Sequence, residues 1–253
     1  MLYARLKSLI KSVLPTKVFT TLRLARGKLL GLSTKLKCGS MNGVRANVGC
    51  GPNAIKGWVN LDTSVHPGVM YWDCTRRLPF NDGTVEAIYS EHCFEHFDYD
   101  SEAKPFLKEC LRCLKPQGTL RIVVPDAGAY LRLYAKGDWD EMAARRPLTR
   151  TGDNYRDYWL GSVYRTRMEF INAVFRQFGG HKYAYDAETL LLMLREAGFS
   201  SAFETSYNVS SDSNMALDTP QRKTESLYVE GVKSPSPASG ELRLHDLNNR
   251  SNL

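Results

Sequence analysis

A chain of 253 residues, 43% hydrophobic and 24% charged, has the makeup of a globular domain with room for a full core. No stretch approaches the roughly 18 apolar residues of a membrane span, and none has the apolar core of a secretory signal. The net charge of +7 hides an asymmetry: residues 1–61 carry eleven Lys and Arg and no Asp or Glu, and subtracting eleven leaves −4 on the rest. The expectation is a mildly acidic body with a basic arm.

Residues 1–40 form that arm. Leu2, Leu6, Leu9, Ile10, Val13 and Leu14 recur at helical spacing among basic residues, and Pro15 ends the helix. A second basic helical stretch follows from Lys17 to Leu30. The pattern fits an interfacial helix drawn to an anionic membrane surface through residues 1–30. It fits equally a helix packed on the domain, and a basic, acid-free transit peptide shares it. Because the positive charge is concentrated in this arm, nucleic acid ranks low as a partner.

From residue 44 strand and helix signals alternate. Val44–Val48, Trp58–Leu61, Val69–Trp72, Val85–Tyr89 and Thr119–Val124 read as strands, with a helix over Glu102–Lys115. This predicts an α/β fold: a Rossmann-like, doubly wound, mostly parallel sheet with helices on both faces. Ligands in such sheets bind outside the carboxyl ends of the strands, where Gly49, Asp62, Asp73, Ser90 and Asp126 fall. Gly49 and Gly51 allow a sharp turn close to a ligand, and Asp62 can accept hydrogen bonds from both hydroxyls of a ribose.

Residues 127–181 differ in character. They are rich in aromatics and in arginines (Arg145, Arg146, Arg150, Arg165, Arg167), with helical fragments expected and no sheet element visible. They read as a cap on the sheet, its rings available to sugars and its guanidinium groups to phosphate or carboxylate, unless the aromatics form the cap's own core. Asp186 predicts an N-cap for a helix closed by Gly198, and Ser200–Tyr207 and Glu225–Lys233 predict two closing strands. The domain is thus expected over 41–233, with a disordered tail over 234–253.

The six cysteines show no disulfide framework, and Cys110/Cys113 is a lone C-x-x-C on a helix face with Phe106, Leu107 and Leu114. Core thiols are the expectation, in a cytoplasmic protein peripheral to the inner membrane face. His92-Cys93-Phe94-Glu95-His96 matches a short zinc-peptidase pattern, H-x-x-E-H, but lacks a third ligand and a long helix, so no metal is assigned. Glu95 and His96 read instead as buried polar groups pinning the segment. Gly49-Cys50-Gly51-Pro52-Asn53-Ala54 also fits a dinucleotide fingerprint, yet Asp62 comes too early for a nicotinamide oxidoreductase.

Together these motifs resemble the class I S-adenosylmethionine-dependent methyltransferases, and more narrowly the small methyltransferases of polysaccharide and lipid-linked glycan pathways. The resemblance covers about residues 44–232. It rests on Asn47-Val48-Gly49-Cys50-Gly51, Asp62, Asp73 with Leu78-Pro79-Phe80, Ser90 to His96, Leu114 to Gly118, and Glu196-Ala197-Gly198-Phe199. It implies S-adenosyl-L-methionine as cofactor, bound by Asn47, Gly49, Cys50, Gly51, Asp62, Asp73 and Ser90. A saccharide or glycolipid acceptor is implied, with another small molecule or a catalytically silent cofactor-binding module as alternatives. His92 and His181 are the candidate catalytic residues, with Asp126 third, because a histidine can take or steer a hydroxyl proton near neutral pH. Two departures stand out: the short run from Gly49 to Asp62, which leaves room for one helical turn near Asn53–Lys56, and Gln117 where the family has glycine.

Overall fold

The computed structural model describes residues 16–236; the helix expected before Pro15 and the tail from residue 237 lie outside them. The chain begins with helix α1 (Thr16–Gly39), nine residues longer than the expected Lys17–Leu30 segment at its carboxyl end. Strands β1 (Val44–Val48), β2 (Val59–Asp62), β3 (Val69–Tyr71) and β4 (Val85–Glu91) follow with no α-helix between them. Helix α2 (Lys104–Cys113) leads into the long β5 (Leu114–Pro125). The cap then contributes α3 (Ala127–Lys136), α4 (Trp139–Ala144), β6 (Leu148–Thr151), β7 (Asn154–Asp157), β8 (Val163–Tyr164) and α5 (Arg167–Arg176). Helix α6 (Ala187–Ala197), β9 (Ser201–Thr205) and β10 (Ser226–Val232) close the fold.

The main sheet runs β3-β2-β1-β4-β5-β10-β9. All neighbours pair in parallel except β10, which is antiparallel to both β5 and β9. The expected Rossmann-like sheet is present. On one face Ile88, Leu120, Ile122, Val124 and Val229 meet Phe106, Leu107 and Cys110 of α2 and Leu190 and Leu194 of α6 in the main core. Alternate residues point to the other face, as the strand period of two requires. There Ala87, Tyr89, Val123 and Tyr228 pack against Met215, with Ile55, Trp58 and Tyr207 alongside. Those covering residues lie on loops and short 3-10 turns, where doubly wound packing predicts helices. The crossovers β1–β2 and β2–β3 are too short to carry one.

Arg121 fixes this second face. Its side chain is fully buried, with Nε and Nη2 donating to Asp218 at 2.9 and 2.5 Å and Nη1 donating to Glu230 at 2.8 Å. It also donates to the carbonyls of Val209 and Ser206, so the guanidinium ties loop 206–218 to the sheet. Burial disfavours the charged guanidinium, but hydrogen bonds to Asp218 and Glu230 outweigh that and hold its pKa above the usual value.

The cap has its own centre, in which Tyr130, Leu133, Met142, Tyr164, Phe170 and Val174 are buried together. Most of its aromatics are therefore structural. The expectation of no sheet in this region is corrected, since β6, β7 and β8 form a small antiparallel sheet. Its four-residue and two-residue strands are too short to show a period of two in the sequence. Helix α6 starts and stops where expected: Asp186 accepts from the Thr189 N–H at 2.9 Å, and Gly198 adopts a left-handed conformation.

The arm is continuous with the domain. On α1, Gly27 comes so close to β3 that a Cβ there would lie 2.9 Å from the Tyr71 hydroxyl, while Thr34 and Cys38 are buried. With about 3.6 residues per turn, these positions share one face. Leu29, Leu32 and Leu36 fall on the opposite face and are 70%, 57% and 70% exposed. Among the described residues no helix is long and apolar enough to cross a membrane.

Candidate active site

The turn after β1 is built for close approach. Gly49 has φ +69°, and a Cβ there would come within 2.0 Å of the Cys93 sulfur, so no other residue fits without rearrangement. Gly51, at φ +51°, donates its N–H to Asp62 Oδ2 at 2.8 Å. Asp62 Oδ1 accepts from both the N–H and the hydroxyl of Ser64, at 2.6 and 2.5 Å. The carboxylate is held rigidly at the end of β2 and is half-buried. Since Oδ2 accepts a single bond and a carboxylate oxygen can accept two, one acceptor position is left for a ligand hydroxyl.

Asn47, a residue expected to bind the cofactor, lies within β1. Its amide donates both hydrogens inside the chain, to the Asn53 carbonyl and to Asn60 Oδ1, each at 3.0 Å. Asn60 in turn accepts from the Ile55 N–H and donates to the Ile55 and Trp58 carbonyls. This asparagine pair holds the short crossover in place of a helix, so Asn47 shapes the site without having a proton to offer a ligand.

Cys50 donates to the Gly51 carbonyl, and burial, aided by the Asp62 charge, pushes its thiol up to about 12. Cys74 and Cys93 are raised as well, mainly by burial. The thiols around Gly49 therefore stay protonated. Cys110 and Cys113 are buried in the core, as expected, and the six cysteines are free.

Asp73 lies just past β3, where Oδ1 accepts from the Thr75 N–H and hydroxyl at 3.2 and 2.6 Å, and Oδ2 meets Arg76 at 3.0 Å. Ser90 sits within β4, wholly buried, and its hydroxyl has no hydrogen-bond partner of good geometry.

Immediately beyond β4 the chain turns at His92, at φ +50°, and enters a single 3-10 turn, Phe94–His96. The turn places Glu95 at the centre of three histidines. His92 Nδ1 is 3.4 Å and His181 Nε2 3.8 Å from Glu95 Oε1. The rings of His96 and His181 meet edge to face, with centroids 4.8 Å apart. Glu95 is buried, and neither carboxylate oxygen has a hydrogen bond of good geometry. Burial pushes its pKa up, but His92, His181 and His96 outweigh burial and leave it below the usual value. Burial also lowers His181, against the pull of Glu95.

The other ring nitrogens are held by the chain. His181 Nδ1 lies 2.7 Å from the Val174 carbonyl, His96 Nδ1 2.9 Å from the Gly180 carbonyl, and His92 Nε2 2.8 Å from the Ser226 hydroxyl. The two expected catalytic histidines thus converge from separate segments on one carboxylate. Asp126 stands apart, capping α3 through the Ala129 N–H. His96 does pin its segment, as expected.

Beside this cluster opens a cavity of about 520 Å³, bordered by Asp98, Asn172, Arg176, His181, Lys182 and Tyr183. The cap arginines expected to meet an anionic acceptor are mostly engaged elsewhere. Arg146 is buried between Asp157 and Glu225, Arg165 pairs with Glu169, and Arg145 donates to the Thr224 carbonyl. Arg176, Lys182 and Glu95 are the residues that sequence reasoning missed or underrated. The H-x-x-E-H spacing carried a hint of Glu95, but the third partner, His181, is brought in only by the cap.

Among known families, residues 61–122, from the end of β2 into β5, match one described as a methyltransferase domain. Solved structures with a similar fold include an S-adenosylmethionine-dependent methyltransferase from Thermotoga maritima, 18% identical, covering 80% of this chain and 88% of that one, with a TM-score of 0.44. Another is 1,6-didemethyltoxoflavin-N1-methyltransferase from Burkholderia thailandensis, bound to 1,6-didemethyltoxoflavin and S-adenosylhomocysteine. It is 11% identical and covers 80% and 77% of the two chains, with a TM-score of 0.40. A methyltransferase from Methanosarcina mazei is 14% identical over 79% and 96%, with a TM-score of 0.42. No curated protein matches the chain.

Proposed function

We infer that this chain, a class I S-adenosylmethionine-dependent methyltransferase, transfers its methyl group to a saccharide or lipid-linked glycan held beneath the cap. The enzyme class is supported by the match over β2 to β5 and by a turn and carboxylate suited to the cofactor. The cofactor, when bound, supplies an electrophilic methyl sulfonium. The side-chain-free Gly49 turn admits the methionine part, and the open acceptor position on Asp62 would take a ribose hydroxyl. Asp73 would hold the adenine amine, and the unpartnered Ser90 hydroxyl would lie beside the sulfonium.

The observation that carries the acceptor class is the cavity beside His181. Asp98, Asn172 and Arg176 supply carboxylate, amide and guanidinium groups, Lys182 adds an ammonium paired with Glu102, and Phe175 and Tyr183 supply rings. Hydroxyl-rich acceptors need that mixture of donors and acceptors next to an apolar face. His181 borders this cavity and faces, across Glu95, His92, the residue that follows β4. In-line methyl transfer depends chiefly on orientation. The chain's main contribution is then to fix the acceptor hydroxyl against the cofactor and keep water out.

Docking at an anionic bilayer through the arm belongs to the same reading. It is supported by the acid-free residues 1–61 and by Leu29, Leu32 and Leu36, which α1 turns away from the sheet. The deciding experiment incubates the protein with methyl-labelled S-adenosylmethionine and a cell-envelope extract. Label in a saccharide or glycolipid fraction is expected; label confined to other small molecules would overturn the acceptor class.

A further inference from the structure

We propose that Glu95, His96 and His181 form a binding site for a divalent transition-metal cation at the acceptor end of β4. One potential ligand atom from each of the three residues lies within 4.8 Å of the others. A tetrahedral ion bound at 2.0–2.2 Å would draw such atoms to roughly 3.4 Å from one another, a closure within reach of side-chain rotation. A void of about 10 Å³ bordered by Glu95 and His181 lies at the cluster.

Three features distinguish this group from an ordinary buried ion pair. First, the carboxylate of Glu95 is buried with both oxygens lacking a well-formed hydrogen bond, whereas buried polar groups normally find partners. Second, the carbonyls facing His96 Nδ1 and His181 Nδ1 can only accept, so each Nδ1 must carry the proton. Each neutral ring then presents an Nε2 lone pair, the form and the backing hydrogen bond that metal-bound histidines show. Third, two imidazoles and one carboxylate are a ligand set suited to zinc or a similar borderline cation, leaving a coordination position free. His92 adds a third imidazole beside the same carboxylate, with Nδ1 3.4 Å from Oε1.

The site shares His181 with the large cavity, which puts it beside the proposed acceptor. That consequence rests on the transfer reading: an acceptor hydroxyl bound to the cation would be polarised and fixed in place. His181 then serves as a ligand and need not act as a free-standing base. The metal site itself stands on geometry alone.

The test titrates zinc chloride into chelator-treated full-length protein by calorimetry, with cobalt(II) chloride as an optical probe. One saturable zinc site per chain is expected, weakened at least a hundredfold in Glu95→Gln and in His96→Gln. His96 is only partly buried, so its replacement leaves the core intact. Cobalt should give d–d bands without a thiolate charge-transfer band, which separates this site from the cysteines around Gly49. No saturable binding, a thiolate band, or unchanged affinity in both variants would overturn the proposal. S-adenosylhomocysteine binding and label transfer to the envelope extract are measured in parallel. Zinc binding without glycan labelling would overturn the acceptor class and keep the metal site, and the reverse would remove the metal and keep the acceptor.

Discussion

Two buried clusters of charge, one on the sheet's loop-covered face and one beyond the end of β4, are built to opposite rules. Around Arg121 the guanidinium is matched by Asp218, Glu230 and two backbone carbonyls. Around Glu95 three imidazoles crowd one carboxylate, yet neither oxygen is properly bonded. A cluster complete within the chain locks the fold. A cluster left incomplete is held by the fold for something else to finish. Asp62 lies between these extremes, with one oxygen saturated by Ser64 and the other only half used by Gly51.

The largest effect should come from breaking the complete cluster. Arg121→Met leaves Asp218 and Glu230 buried without their counter-charge and should cost about 3–5 kcal/mol of stability, read from the midpoint of a urea or guanidinium transition. A loss below about 1 kcal/mol would mean that loop 206–218 is held by its apolar contacts instead. Next comes Asp62→Ala, which removes a charged hydrogen-bond partner worth about 1.5–3 kcal/mol. S-adenosylhomocysteine affinity should fall at least tenfold by calorimetry, and unchanged affinity would remove Asp62 from the site.

The exposed stripe of α1 extends the comparison from polar to apolar groups. Replacing Leu29, Leu32 and Leu36 together by Gln should reduce co-sedimentation with anionic vesicles by about tenfold or more, since each leucine withdrawn from water contributes up to about 1.5–3 kcal/mol. The melting temperature should be unchanged, because these side chains touch little of the domain. Equal sedimentation would leave α1 as a packing element only. Glu95→Gln should also change stability little. It exchanges a poorly bonded buried charge for an amide, so the expected change is within about 1 kcal/mol. A loss as large as that of Arg121→Met would make the Glu95 cluster a second structural lock.

Much of the geometry around Gly49 and Asp62 was legible because its requirements are local. A left-handed turn beside a close neighbour demands glycine at 49, and a carboxylate ending a short apolar strand is visible as Val59-Asn60-Leu61-Asp62. The α6 cap and stop at Asp186 and Gly198 are local in the same sense. Gln117 shows the limit of that logic. It takes φ +64° where glycine would be unstrained, and its N–H donates to the Lys233 carbonyl, a contact made by distant chain. Asn47 shows the same limit. It sits in the glycine motif, but only the register with Asn60 on β2 shows that its amide is already committed.

The parallel sheet, the glycine turn after β1 and the carboxylate beside it follow from the sequence alone, since alternating hydrophobic periods and glycine positions depend on neighbours a few residues away. Tertiary structure alone decided which charges are finished and which are not. Arg121 meets Asp218, and Glu95 meets His181, across sheet and cap rather than along the chain. Burial sets what an unpaired carboxylate costs, and no spacing in the sequence records burial. The basic arm was legible as amphipathic, but only its packing through Gly27, Thr34 and Cys38 shows which of its leucines remain facing water.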